Sequence, residues 1–321
     1  MIRETDADVR HRMLGGLNVA TTVEGRAALR ARHRSVTADG DDADAAFAKF
    51  FDGGVLRESL LLPDVRLHEL TAAWFWPNYG YVTPAALATA FADRARDAGA
   101  EFRTGTSVLD IERDATGTVD TVRSDRGRTL VDQLVLAAGP WNPTLARSVG
   151  VDLPVRHSFA PGMLLDDPTA SVRPSLTHHE SGVYLRPHGD GHLFAGHYQG
   201  DFAAAGPGTG SPEVPADVPL TLRAEILDGV GRLVHGLEDP TVRDQWVGLR
   251  SLTPDGNRIV GWTDVDGLFV ATYNATGIQH APAVGHILSQ QLLGGDPTQY
   301  YDLVSVSRFD GYTDVHDGAP A

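Results

Sequence analysis

The stretch that decides the fold of this chain runs from Gly248 to Gly295 and reads GLRSLTPDGNRIVGWTDVDGLFVATYNATGIQHAPAVGHILSQQLLGG. Its pattern predicts a strand, a turn at Asp255–Gly256, a second strand at Leu268–Thr272 and a helix that begins at Gly277. The N-terminus of a helix offers unpaired N–H groups and a positive dipole end, which suit an electron-rich ligand group. The inner face of this helix is expected to consist of Ala281, Val284, Leu288 and Leu292.

A second informative stretch is VDQLVLAAGPWNP, from Val131 to Pro143. We expect a buried strand over Leu134–Ala138, followed by small residues and by Trp141. Small residues allow a backbone to approach a ligand closely. Taken alone, the same pattern also fits any parallel strand that ends in a glycine turn.

Shorter elements are predicted along the rest of the chain. A helix is expected between Thr83, as its N-cap, and Gly99, with Pro84 at its first position. The short glycine turn at Asp190–Gly191 predicts a hairpin. The strands expected from these patterns are Glu101–Arg103, Ser107–Arg113, Val119–Ser124, Val183–Pro187 and His192–His197.

The charge balance of the chain is strongly acidic. Among 321 residues, 42 Asp and Glu oppose 27 Lys and Arg, which gives a net charge of −15, and Lys49 is the only lysine. This charge disfavours nucleic acid as a partner. An acidic chain with arginine in place of lysine suits a protein kept soluble at high salt, although a GC-rich genome would give the same arginine bias.

Residue types that are missing exclude or disfavour several kinds of site. The chain has no cysteine, so it forms no disulfide, thiolate ligand or cysteinyl-flavin bond. His188, His192 and His197 alternate along the predicted hairpin, but opposite strands would spread them apart, so we predict no metal site. No apolar run approaches the roughly 18 residues of a transmembrane helix, and the first residues are too charged for a signal peptide. We therefore expect a cytoplasmic protein with no membrane contact.

The two long stretches resemble the cofactor segments of the FAD-dependent superfamily of D-amino acid oxidase, glycine oxidase and sarcosine dehydrogenase. GIQHAPAVG, from Gly277 to Gly285, is similar to the GFQHAP-type segment of sarcosine and dimethylglycine dehydrogenase relatives. The resemblance implies a non-covalent FAD. The cofactor contacts expected from it are Val108, Ala138, Gly139, Trp141, Asp255, Gly256, Gly277, Ile278, Gln279 and His280.

Two further residues match positions at which the superfamily binds a substrate carboxylate. Arg250 stands in GLRSLTPDG and Tyr184 stands in a Y-x-x-P strand. The resemblance implies an amino-acid-like substrate, whereas a structural ion pair for Arg250 and a core aromatic for Tyr184 are the alternatives. His280 is an acid/base candidate, but hydride transfer from a neutral amine needs little such help, so no catalytic residue is assigned.

The fold class implied by these patterns is α/β with two lobes, of the α+β-like kind. A partial, Rossmann-like FAD-binding lobe is expected from residues 81–155 and 245–296. A substrate lobe with an antiparallel β-sheet is expected from residues 1–80 and 156–244, and residues 297–321 form a C-terminal tail.

The N-terminal dinucleotide fingerprint of the superfamily, G-x-G-x-x-G, does not occur in this sequence. We expect the unit that binds the ADP half of FAD to come from an upstream reading frame or from a separate polypeptide, and Leu134–Ala138 to expose an apolar edge. The predicted function is oxidation of an amine or amino acid by hydride transfer to FAD. The alternative is a non-catalytic remnant that binds a small amino acid or a protein partner.

Overall fold

The computed structural model describes residues 9, 11–38, 48–53, 62, 64–168, 174–189, 191–198, 214–295 and 301–310. The chain divides into two compact units. Unit 1 comprises residues 1–100, 160–200 and 215–248, and unit 2 comprises residues 101–159, 201–214 and 249–321. Residues 81–100 cluster with unit 1, although the predicted lobes placed them with the cofactor segments. The roles assigned to the two lobes stay predictions.

Helices and short strands make up most of the described chain. The α-helices are α1 (Val23–Ala38), α2 (Pro84–Asp97), α3 (Asn142–Ser148), α4 (Leu220–Leu233) and α5 (Gly277–Leu292). The strands are β1 (Arg12–Met13), β2 (Gly16–Ala20), β3 (Lys49–Asp52), β4 (Ala72–Trp76), β5 (Gly80–Tyr81), β6 (Val108–Arg113), β7 (Val119–Ser124), β8 (Gly127–Leu130), β9 (Leu134–Leu136), β10 (Arg156–Asp166), β11 (Ser175–His178), β12 (Val183–Gly189), β13 (His192–His197), β14 (Val242–Leu252), β15 (Ile259–Trp262) and β16 (Leu268–Thr272). None of the helices described has the length and apolar content needed to cross a bilayer.

Unit 1 is built on an eight-stranded sheet with the order β14-β10-β13-β12-β11-β2-β4-β3. Side chains alternate between the two faces of a strand. At the centre of this sheet, the side chains on one face are fully buried. The buried residues on that face include Met163, Leu165, Leu185, Leu193 and Ala195. Helix α4 packs on β12 and β13 and buries Leu222, Ile226, Val230 and Leu233. Each fully buried leucine here contributes roughly 2 kcal/mol of apolar burial.

The predicted hairpin of unit 1 is confirmed. Strands β12 and β13 pair antiparallel, with Tyr184 opposite Gly196 and Arg186 opposite Phe194. Gly191, at the turn, has a φ of 74°, which is a left-handed conformation that favours glycine. The register places Tyr184, Arg186 and Phe194 on the sheet face that lies opposite the buried one.

Unit 2 contains a three-stranded sheet with the order β15-β16-β9, in which β9 and β16 run parallel. Helix α5 packs on it through Val284, Ile287, Leu288 and Leu292. The prediction for the helix face was wrong at Ala281, which is exposed. Ile287 contacts the core instead, because the buried stripe starts nearly one turn later. Within the described residues, β9 pairs only with β16, so its other edge is open there.

A second sheet of unit 2 is the antiparallel meander β6-β7-β8. The strands predicted at Ser107–Arg113 and Val119–Ser124 are confirmed to within one residue, whereas β8 was not predicted. The strand predicted at Glu101–Arg103 is wrong, because those residues pair with no strand among those described. Helix α2 begins at Pro84 as predicted, although the side chain of Thr83 makes no capping hydrogen bond.

Candidate functional site

Two glycine turns meet at one edge of the β15-β16-β9 sheet. Because β9 and β16 are parallel neighbours, with Leu136 opposite Val270, their carboxyl ends lie side by side. β9 leads into a 3-10 turn over Gly139–Trp141, and β16 leads through a short loop into α5 at Gly277. The structure thus brings together seven of the residues predicted to contact a cofactor. They are Ala138, Gly139, Trp141, Gly277, Ile278, Gln279 and His280.

The ring of Tyr273 lies against both glycines. A Cβ atom on Gly277 would lie 3.2 Å from Tyr273 Cγ, and one on Gly139 would lie 3.7 Å from the Tyr273 Oη and Cε1 atoms. Burial raises the pKa of the Tyr273 hydroxyl, although its hydrogen bond with Ser251 acts in the opposite direction. The hydroxyl is therefore protonated at neutral pH. Tyr273 was not predicted from the sequence, and only its position between a strand and a glycine turn could have indicated it.

Asn142 ties the two strand ends together. Its side chain is fully buried, and its Oδ1 atom accepts a hydrogen bond of 2.7 Å from the backbone N–H of Ala138. Its Nδ2 atom donates to the carbonyl of Ala271 at 3.0 Å and to Oγ1 of Thr272 at 2.9 Å. A buried amide with three partners fixes the geometry of the backbone that it bridges. Asn142 is a positioning residue that the sequence analysis missed.

The loop before α5 is held in a strained conformation. Ala275 has a φ of 55°, and no other non-glycine residue in the described ranges has a positive φ. Left-handed alanine costs roughly 1 kcal/mol, and a hydrogen bond of 3.1 Å from its N–H to the carbonyl of Ser251 holds it in place. The N-cap residue Thr276 provides no side-chain hydrogen bond to the first turn of α5. The helix therefore begins with N–H groups that its own cap does not satisfy.

A cation lies beside this helix start. Arg258 Nη2 donates to Thr276 Oγ1 at 3.0 Å and lies 2.9 Å from His280 Nδ1. The same ring nitrogen lies 2.8 Å from the Thr276 carbonyl, so it either accepts from Arg258 or donates to that carbonyl. Burial lowers the pKa of the Arg258 guanidinium, which still leaves it positively charged at neutral pH. Its Nε atom is buried with no partner among the described residues.

These features fit the flavin end of FAD. The glycine turns would let the backbone approach a flat ring system, and the helix start with Arg258 would place positive potential beside such a ring. The pyrimidine end of a flavin gains negative charge on reduction, which such a potential stabilises. Trp141 and Ile278 are 46% and 52% exposed, respectively, and supply apolar surface at the same edge.

The three other predicted cofactor contacts are placed differently. The carboxylate of Asp255 forms two hydrogen bonds with Arg308, at 2.8 and 3.1 Å. Burial opposes its charged form, but the hydrogen bonds from Arg308 and Asn257 outweigh burial, so the pKa of Asp255 lies below its ordinary value. Gly256 has no neighbour within 4 Å of an added Cβ atom. Val108 is exposed at the start of β6, on the meander. Their cofactor roles stay predictions.

Arg250 lies near the end of β14, next to a buried polar network. It is half-buried, and its Nη2 atom donates to the carbonyl of Phe159 at 3.3 Å. The following residue, Ser251, lies 3.4 Å from Nδ1 of His157. Burial lowers the pKa of His157, although hydrogen bonds to the backbone of Pro140 and Arg250 act against that shift. The neutral ring of His157 thus connects the Arg250 strand to the Gly139–Trp141 turn.

The predicted substrate residue Tyr184 lies in unit 1, on a face formed by aromatic rings above glycines. A Cβ atom on Gly196 would lie 2.5 Å from Tyr184 Oη, and one on Gly162 would lie 2.7 Å from the ring of Trp246. We call this surface the aromatic face. Its rings are those of Tyr79, Tyr81, Tyr184, Phe194, Tyr198 and Trp246. Neighbouring rings are in contact, since the centroids of Tyr184 and Tyr198 are 4.2 Å apart.

A Ser–His–Glu cluster in unit 1 serves the start of α1. Glu180 Oε1 accepts hydrogen bonds from the N–H groups of Thr21 and Thr22 at 2.9 and 2.8 Å. His178 lies 3.0 Å from the other oxygen of Glu180 and 2.8 Å from Ser181 Oγ. The carboxylate therefore caps a helix. Among the described residues, no three His, Asp or Glu side chains form a group that could hold a metal ion.

Comparisons with known proteins connect both units to flavoenzymes. The chain is 31% identical to glycine oxidase from Bacillus licheniformis over 233 residues, which cover 71% of this chain and 59% of that protein. It is 28% identical to mitochondrial dimethylglycine dehydrogenase from Mus musculus over 261 residues, which cover 77% of this chain and 30% of that protein. The chain thus spans less than two thirds of the length of these relatives.

Solved structures share the fold. L-proline dehydrogenase from P. horikoshii has a TM-score of 0.82 at 18% identity, with 96% of this chain and 79% of that chain covered. Glycine oxidase from Geobacillus kaustophilus has a TM-score of 0.80 at 22% identity, with 95% and 78% covered. The family model described as DAO, FAD dependent oxidoreductase, matches residues 1–291. The chain therefore belongs to this family of FAD-dependent oxidoreductases.

Proposed function

We propose that this chain supplies the flavin-contacting turns and the substrate-binding surface of an FAD-dependent enzyme that oxidises an amine or amino acid. The observation that carries the proposal is the pair of glycine turns at the ends of β9 and β16, joined by Asn142 and Tyr273. Relatives named glycine oxidase and dimethylglycine dehydrogenase support oxidation of the carbon next to an amine nitrogen.

When bound, FAD would supply an acceptor for the hydride on the carbon that carries the amine nitrogen, and the imine product would be hydrolysed by water to a carbonyl compound and an amine or ammonia. The chain's own residues hold and polarise this site. Asn142 and Tyr273 fix the backbone of the turns, and the start of α5 with Arg258 offers positive potential to an electron-rich group.

Arg250 is the proposed contact for a substrate carboxylate. A guanidinium donates two parallel hydrogen bonds to a carboxylate, worth roughly 1.5–3 kcal/mol when the pair is desolvated. We expect Arg250→Ala to raise KM for carboxylate substrates by at least about tenfold. Arg243→Ala is the control, because Arg243 is exposed and paired with Asp166. An unchanged KM for every carboxylate substrate in Arg250→Ala would remove the assignment.

We further propose that a dinucleotide-binding unit outside this sequence holds the ADP half of FAD. The open edge of β9 within the described residues supports this arrangement, because parallel strands are rarely left at an unprotected edge. An upstream reading frame or a separate polypeptide that encodes G-x-G-x-x-G in a strand–turn–helix context would meet the requirement.

The first test is an FAD titration of the purified chain, at high salt because of its acidity. Bound flavin should show shifted visible absorption bands, and these should bleach when an amine or amino acid is added without oxygen. A folded chain that perturbs the flavin spectrum neither alone nor after addition of the dinucleotide-binding unit would contradict the proposal for this chain. Amine binding without flavin binding would instead indicate a binding domain of flavoprotein ancestry.

A further inference from the structure

A half-open cavity lies on the aromatic face of unit 1. Its volume is about 230 Å³, and its lining includes Tyr79, Ser175, Tyr184, Arg186, Phe194 and Tyr198. Drug-sized ligands occupy pockets of roughly 300–1,000 Å³, so this cavity has room only for a smaller molecule. Four of its lining residues, Tyr79, Tyr184, Phe194 and Tyr198, are aromatic, and such rings favour contact with a flat apolar body.

Arg186 brings a positive charge into this aromatic wall. Its Cζ atom lies 4.7 Å from the ring centroid of Tyr81 and 4.7 Å from that of Phe194. Cation–π contacts hold the guanidinium in place but do not use its N–H groups as donors to an acceptor oxygen. In the part of the chain that the structure describes, no carboxylate forms an ion pair with Arg186. This is notable in a chain with a net charge of −15.

Hydroxyl groups without partners lie beside this guanidinium. Ser175 is 8% exposed, and its Oγ atom has no hydrogen-bond partner among the described residues. The β11–β12 register, with Leu176 opposite Leu185, places Ser175 across from Arg186. The hydroxyl of Tyr81 is likewise buried without a described partner. An unsatisfied buried polar group destabilises the fold, and a hydrogen bond to a ligand oxygen would remove that cost.

We propose that this cavity binds a small carboxylate with a flat apolar body. Arg186 and Ser175 contact the carboxylate, and the rings of Tyr184 and Phe194 contact the body. A carboxylate matches a guanidinium because its two oxygens accept the parallel N–H groups.

Calorimetric titration of the whole chain with three probes tests the binding chemistry. Hydrocinnamate carries both a carboxylate and a ring, its amide lacks the charge, and propionate lacks the ring. We expect hydrocinnamate to bind at least about tenfold more tightly than either of the other probes, since charged hydrogen bonds and ring burial each exceed about 1.4 kcal/mol. Equal affinity for hydrocinnamate and its amide would overturn the proposal.

Variants of Arg186 test whether this residue causes the preference for the carboxylate. Arg186→Gln should abolish the preference for hydrocinnamate over its amide, and Arg186→Lys should keep only part of it. Arg243→Gln, on the same sheet and paired with Asp166, should leave the preference unchanged. If Arg186→Gln retains the preference, or if Arg243→Gln loses it equally, the assignment to Arg186 is wrong. The wild-type probe series keeps the proposal testable even if Arg186→Gln does not fold.

Ser175→Ala separates binding from structure. Because the Ser175 hydroxyl has no partner in the described chain, its removal should not lower the melting temperature. The affinity for hydrocinnamate should nevertheless fall several-fold. A fall in melting temperature with unchanged affinity would contradict a ligand role. These binding results do not depend on flavin, so FAD binding without a carboxylate preference would overturn this inference and leave the proposed function standing.

Discussion

Glycine serves opposite purposes in the two units. In unit 2, Gly139 lies at a strand end, has a left-handed φ of 57° and keeps the nearest described atoms 3.7 Å from an added Cβ atom. In unit 1, Gly162 and Gly196 lie within strands, and an added Cβ atom would come within 2.7 and 2.5 Å of an aromatic ring. The first arrangement leaves space for a ligand, whereas the second makes room for the protein's own rings.

The two regions also differ in what holds them. The turns of unit 2 depend on hydrogen bonds from one buried side chain, Asn142, to backbone groups of two strands. The aromatic face of unit 1 depends on packing, with Tyr184 against Phe194 and Tyr198. A destabilising substitution in the turns of unit 2 should therefore remove polar contacts, whereas one in the aromatic face of unit 1 should cause steric overlap.

The largest effect is expected for Asn142→Ala. The substitution leaves the N–H of Ala138 and the carbonyl of Ala271 without their buried partner, so we expect a loss of about 2–4 kcal/mol in the free energy of unfolding. Asn142→Asp should be intermediate, because its carboxylate still accepts from Ala138 but cannot donate to Ala271. Urea unfolding measures both variants. A loss in Asn142→Ala below about 0.5 kcal/mol would show that the turns do not depend on this residue.

A second effect, of about 1–3 kcal/mol, is expected for Gly196→Ala, because the new methyl group must displace the ring of Tyr184. A double-mutant cycle tests the cause. In a Tyr184→Ala background, Gly196→Ala should cost much less, since the ring that it displaces is absent. Additive losses in urea unfolding would mean that the contact between the two residues is not the source.

The smallest effect concerns pH. His157 is buried with a pKa below its ordinary value. As the pH falls below about 6.5, the unfolded chain therefore takes up a proton that the folded chain does not. Stability is highest above that pH and falls on acidification, until the folded pKa is also passed. His178 acts in the same direction in unit 1.

The variant His157→Gln isolates the contribution of unit 2 to the pH dependence of stability. We expect urea midpoints measured from neutral pH downward to fall less steeply in His157→Gln than in the wild type. His68→Gln is the matched control, because His68 is exposed. Parallel pH profiles for the wild type and His157→Gln would contradict the role of buried, neutral His157.

Local signals predicted the elements whose ends are marked by special residues. The sequence Thr83–Pro84 located the start of α2, and the glycine of the β12–β13 turn located the hairpin, because these residues restrict the backbone itself. β8 escaped prediction because it is an exposed strand of four residues without apolar alternation. Strand β9 ends at Leu136 rather than Ala138, since the chain turns there into Gly139–Trp141.

Contacts between segments that are distant in the sequence could not be predicted in either region. Two of the three partners of Asn142 lie 129 and 130 residues further along the chain, so no local pattern marks this amide as a bridge. The rings of Tyr79, Tyr184 and Trp246 come from three separate segments, and only the sheet order places them on one face. The predicted roles of Arg250 and Tyr184 came from resemblance alone and stay predictions.

The central claim is that the glycine turns of unit 2 contact a flavin, and a matched pair of variants tests it most directly. Gly139 and Gly294 both have a left-handed φ in unit 2, at 57° and 74°, and neither has an atom closer than 3.7 Å to an added Cβ atom. Substitution by alanine should therefore introduce a similar backbone strain, of about 1 kcal/mol, at each of the two positions. The FAD dissociation constant should rise about tenfold or more in Gly139→Ala and stay unchanged in Gly294→Ala. Equal dissociation constants for the two variants would contradict the account, as would a wild-type chain that fails to bind FAD even with the dinucleotide-binding unit added.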